Sequence, residues 1–147
     1  MRTVNASAEI SAPPSDVFAF LANLENLPAW QSGIVSAELK TPGPVGLGSR
    51  AHVVRSLMGQ RIAVDVVVVG FEPGRSVELE SAASGIGIRA VLDLQPGGSG
   101  TALSFTMEIR AQNIFMAPAE GLVAGAAEQD LADSLERVRA HFAPPDG

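Results

Sequence analysis

With 147 residues, 46% of them hydrophobic and only 18% charged, the chain has the composition of one folded domain that needs no staples. It contains no cysteine, which excludes disulfides, thiolate nucleophiles and cysteine-ligated metals. A formal net charge of -6, with the 10 Lys and Arg residues scattered along the chain, argues against nucleic-acid partners and against docking on an anionic lipid surface.

Thr3–Ser11 predicts a first strand, with Val4, Ala6, Ala8 and Ile10 on one face. Pro13-Pro14-Ser15-Asp16 then opens a helix, its prolines at the first turn and its acid near the positive end of the dipole. Val17, Phe18, Phe20, Leu21 and Leu24 follow at helical spacing, and Leu27-Pro28-Ala29-Trp30 predicts a short second helical turn. From Ile34 to Arg110 the pattern is of strands separated by tight turns: Ile34–Leu39, Arg50–Leu57, Arg61–Val69, Val77–Ser81, Ile86–Leu94 and Thr101–Arg110. Turns at Met58-Gly59-Gln60, Glu72-Pro73-Gly74-Arg75 and Gln95 to Gly100 are too short for crossover helices, so an antiparallel meander is expected. Val64–Val69 reads as apolar on both faces, which suits cover on both sides or an interface, and a homodimer is left open.

A last helix is expected from about Pro118 to Phe142. Leu131, Leu135, Val138 and Phe142 form its apolar stripe, Asp130 and Asp133 lie on its polar side, and Pro144-Pro145 ends it. Upstream, Ala117, Ala119, Gly121 and Ala124 to Ala127 are small; they either leave room for a ligand or allow close backbone packing. No signal-peptide core opens the sequence, and no run approaches the roughly 20 apolar residues of a bilayer span. A cytoplasmic protein without a membrane span, one domain over residues 1–147, is the expectation.

The residues that punctuate this order carry a resemblance. Ile10-Ser11-Ala12-Pro13-Pro14-Ser15-Asp16-Val17-Phe18, Leu27-Pro28-Ala29-Trp30, Gly46-Leu47-Gly48-Ser49, Phe71-Glu72-Pro73-Gly74-Arg75 and Gly100-Thr101 make nearly the whole chain resemble the START-like, or Bet v 1-like, superfamily (SRPBCC), including polyketide cyclase/dehydrase-like proteins. The resemblance implies an α+β helix-grip fold, with a curved antiparallel sheet of about seven strands, two short N-terminal helices and one long C-terminal helix. It also implies a cavity between sheet and helix for lipids, polyketides, steroids or other apolar molecules. Some members cyclise or dehydrate polyketides; others carry lipid or quinone, sense hormones or act as protein partners. A fold of the nuclear transport factor 2 kind starts with helices and ends in strands, which the terminal helix here opposes.

Chemistry is sparse. His52 and His141 are the only histidines; His141 suits the final helical turn, where a cation complements the dipole. His52 and Arg55 lie on opposite faces of one strand, so one points inward and the other outward. An inward Arg55 would orient a carboxylate or phenolate, or pair with Asp65 or a glutamate; Asp65 and Arg89 suit the surface. Trp30 suits either a pocket mouth or the core, and Asn113-Ile114-Phe115-Met116 either a pocket cap, a partner contact or core closure. No nucleophile triad, phosphate loop or metal-ligand spacing occurs, and no cofactor or metal is expected.

The reading is of a domain that binds a small hydrophobic or aromatic ligand. The expected contacts are Trp30, Val53, Arg55, Leu79, Ile88, Phe105, Met107, Phe115, Met116 and Leu122. A cyclase/dehydrase-like enzyme in the same cavity and a protein-interaction module are the alternatives. An acid–base pair inside the cavity would favour the enzyme.

Overall fold

The computed structural model describes residues 1–57, 59–83, 85–98 and 100–144; Met58, Ser99 and Pro145 of the expected turns and helix stop lie outside them. Seven strands form one antiparallel sheet: β1 (Arg2–Ile10), β2 (Ile34–Leu39), β3 (Arg50–Leu57), β4 (Gln60–Glu72), β5 (Ser76–Ala83), β6 (Ile86–Gly97) and β7 (Gly100–Ala111). Their order across the sheet is β1-β7-β6-β5-β4-β3-β2, a meander from β2 to β7 with β1 added at the far edge. Helices α1 (Pro14–Ala22) and α2 (Leu27–Trp30), with a 3-10 turn at Leu24–Asn26 between them, carry the chain from β1 to β2, the two outer strands. The sheet curves, and α3 (Ala119–His141) packs across it against β1, β7 and α2.

Alternation fixes which side of each strand is inside. In β7, Leu103, Phe105, Met107 and Ile109 are buried, while Ser104, Thr106 and Glu108 reach the other face. In β4, Val64, Val66 and Val68 point inward, and Val67 and Val69 lie half-buried on the outside. β4 runs on through Glu72 rather than stopping at Val69, because Pro73-Gly74 is the first segment that cannot continue the ladder. β6 likewise runs past the end of β5, whose pairing stops at Ser76 opposite Asp93, and there Pro96 is accommodated as on an edge strand.

The residues behind the resemblance have structural causes. A Cβ at Gly100 would run into the Ile10 carbonyl, and the buried Thr101 hydroxyl donates to the Ala12 carbonyl oxygen at 2.7 Å. Together they lock the start of β7 against the β1–α1 corner. On α3, Leu131, Leu135 and Val138 are buried as the stripe requires, and Phe142 meets Phe20 edge-on at 5.6 Å. Ser134, also buried, donates its hydroxyl to the Asp130 carbonyl at 2.6 Å and accepts the Ser32 N–H at 2.8 Å. The helix is therefore fastened to the α2–β2 corner by a hydrogen bond as well as by its apolar face.

Candidate functional site

β3 decides the chemistry of the interior. Its pleat turns Ala51, Val53 and Arg55 toward the core and His52 outward. His52 is exposed, with its Nδ1 3.1 Å from Asp65 Oδ1 on the neighbouring strand. Arg55 is the inward residue, and Asp65 is on the wrong face to pair with it. The expected Arg55–Asp65 pair is thus replaced by two separate charges on opposite sides of the sheet.

Arg55 lines a small, partly open cavity of about 30 Å³ on the inner face of the sheet. Its walls are Leu27, Ile34, Val53, Val64, Val66, Leu79, Ile88, Ala90 and Met107, with Arg55, Gln31 and Ser81 as the polar groups. A water needs roughly 10–15 Å³ on this measure, so the space holds about two waters or one small polar group. Drug-sized ligands occupy roughly 300–1,000 Å³. A larger guest must displace wall side chains.

Among the described residues no carboxylate lies within 4.0 Å of the Arg55 guanidinium, and its side chain makes no hydrogen bond to the protein. The nearest source of negative potential is Asp130 of α3. The Asp130 carboxylate rests over Gly33, where an added Cβ would stand 3.2 Å from its Oδ2 and 3.5 Å from the Ser56 carbonyl oxygen. Burial lowers the Arg55 pKa, with attraction to Asp130 opposing it. Burial raises the Asp130 pKa from 3.8; Arg55 and Arg137 oppose that rise and Asp133 adds to it. In both groups desolvation outweighs attraction, the mark of two charges that see each other without closing a tight pair.

Of the other residues expected at the site, Val53, Leu79, Ile88 and Met107 line this cavity. Trp30 and Phe105 do not: both are fully buried and pack edge-to-face at 5.7 Å, leaving the indole N–H without a partner. Phe115 and Leu122 are 88% and 67% exposed and cannot be walls, because the 3-10 turn Ile114–Met116 and the first turn of α3 direct them outward. Met116 lies over the β5–β6 turn, where a Cβ on Gly85 would meet its Cγ at 2.7 Å. Among the described residues none of α3 lines the cavity; Ala124 and Ala127 are buried, so at those two positions the small side chains permit close packing.

Gln31, Ser81 and Asp130 were not anticipated. Ser81 was within reach, since it follows Leu79 by two residues on the same strand face. Asp130 was not, because its place near Arg55 depends on how α3 lies across the sheet. A larger depression of about 470 Å³ lies on the outer sheet face, rimmed by Arg50, Asp65, Glu80, Arg89, Glu108 and Arg110. Two of its charges are met locally, Arg89 by Glu78 at 2.7 Å and Asp65 by His52, and its floor is the outer sheet surface rather than an apolar interior. The inner cavity is the candidate site.

A family model described as polyketide cyclase / dehydrase and lipid transport matches residues 1–143. The chain belongs to this family. A search of curated proteins finds no significant match. Solved structures share the fold: a protein from Thermus thermophilus, TTHA0849, gives 19% identity and a TM-score of 0.78, covering 96% of this chain and 97% of that one. A START superfamily protein from Mycobacterium smegmatis gives 16% identity and a TM-score of 0.77 over 96% and 99% of the two chains. Ara h 8.0201 gives 14% and 0.73 over 96% and 97%. At such identities the likeness is one of fold, and it leaves the chemistry to the site itself. Among the described residues no helix is long and apolar enough to cross a membrane, and no cluster of His, Asp and Glu could hold a metal.

Proposed function

We propose that this protein binds a small hydrophobic or aromatic molecule, such as a lipid or polyketide, in the cavity on the inner face of its sheet. The observation that carries this reading is the wall composition: nine apolar side chains around Arg55, Gln31 and Ser81. Apolar walls supply affinity by desolvation and the few polar groups supply orientation. Membership of a family described by lipid transport and polyketide chemistry supports the same class of ligand.

A cyclase/dehydrase-like enzyme would need groups that move protons at the ligand. Among the described residues the cavity wall carries no carboxylate and no imidazole, and a guanidinium holds its proton throughout the working pH range. Binding is the better reading. The test is native mass spectrometry of the purified chain against a panel of lipids and aromatic molecules. A one-to-one adduct that Ala90→Leu weakens is expected, since Ala90 lies on the cavity wall. No adduct with any member of the panel would end the proposal.

A further inference from the structure

Arg55 is a half-buried arginine on the wall of a mostly apolar pocket; among the described residues its side chain makes no hydrogen bond, and its nitrogens keep some contact with solvent. A guanidinium partly stripped of water in this way is a ready partner for an anion. Asp130 faces it from α3 without closing to 4.0 Å. The free volume in front of it, about 30 Å³, is about the size of a carboxylate rather than of a whole ligand. Gln31, whose carbonyl accepts the N–H of Ile34, the strand partner of Arg55, adds an amide that can donate to an anion; Ser81 lines the pocket farther along the sheet, opposite Val66.

We propose that the ligand is an amphiphile with an anionic head group, seated on Arg55 with Gln31 beside it, and that Asp130 is the resident counter-ion that restrains its binding. This rests on the ligand-binding reading above and specifies the head group. The apolar tail lies along Val64, Val66, Leu79 and Met107, which must give way to admit it. Asp130 shares the Arg55 charge when ionised, and so weakens the hold on a second anion; when protonated, it frees Arg55 for that anion. The groups that face Asp130 are Arg55 from β3, Asp133 and Arg137 from its own helix, and the Gly33 and Ser56 backbone. Its raised pKa brings this titration upward from the ordinary range of an aspartate, so affinity for a permanently charged anion should rise on acidification.

The experiment titrates the full chain with matched probes below their micellar concentrations: decanesulfonate, decanoate and decanol, then naphthalenesulfonate and naphthalenemethanol. In the wild type the anions bind more tightly than their neutral counterparts by roughly 10- to 100-fold, the range of a charge-assisted hydrogen bond. Arg55→Met abolishes that preference and leaves decanol binding in place, while Arg55→Lys retains part of it. Asp130→Asn strengthens decanesulfonate binding at neutral pH and removes its increase on acidification. Equal affinity for anionic and neutral probes overturns the head-group assignment and leaves the ligand-binding reading standing. Binding by none of the probes overturns both. A preference for anions that Asp130→Asn does not alter overturns the counter-ion role. Should Arg55→Met not fold, Arg55→Lys and Asp130→Asn decide the matter.

Discussion

At the scale of single residues, the Arg55–Asp130 relation has consequences for stability that need no ligand. The Asp130 pKa is raised in the folded state, chiefly by burial. Below the ordinary aspartate range both folded and unfolded chains carry the proton, and Asp130 costs nothing. As pH rises through the window between that range and the raised folded value, the folded chain holds its proton longer, and stability is lost. Asp130→Asn is therefore expected to raise the melting temperature at neutral pH, with the difference from wild type fading on acidification; a Tm series across pH checks it. Gly33 is the second sensitive position: its φ is +92°, and a side chain there would crowd the Asp130 carboxylate. Gly33→Ala should cost about 1–3 kcal/mol, read as a lowered urea midpoint. Strand alternation already placed His52 and Arg55 on opposite faces, yet the pattern is symmetric about the sheet and so could not say which of them faces in. Only the choice of sheet face on which α3 and the short helices pack breaks that symmetry.

At the scale of elements, α3 was the most readable part of the sequence and also the most misleading. The period of Leu131, Leu135 and Val138 identified its buried face correctly, because that signal is local. The small residues upstream were ambiguous between space and close approach, and close approach prevailed at Ala124 and Ala127. Leu122 shows the limit: a bulky apolar residue at a helix start reads as a wall, though the helix turns it to solvent. Leu135→Asp would bury a charge without a partner in this interface. It should cost more than about 3 kcal/mol and leave the domain largely unfolded, so a circular dichroism melt near that of wild type would contradict the docking of α3. Ser134→Ala leaves the Ser32 N–H without its acceptor and should cost about 1–3 kcal/mol by urea denaturation.

At the scale of the whole molecule, the order of strands and helices was legible because turns and periods are written locally: β2 and β3 fall where their patterns predict, and the other strands differ only at their ends. The cavity was not, since it is assembled from α2, Gln31, β2 and five further strands that no local pattern connects. It follows that length changes will be tolerated very unevenly. Residues inserted between Thr41 and Gly48 would lengthen a surface loop between β2 and β3 and leave the interior untouched. One residue inserted between Ala51 and Arg55 would invert every side chain beyond it, turning the guanidinium to solvent. Lineages of this fold can thus trade loops freely, but the electric charge of the interior is inherited through the odd or even count of residues in β3.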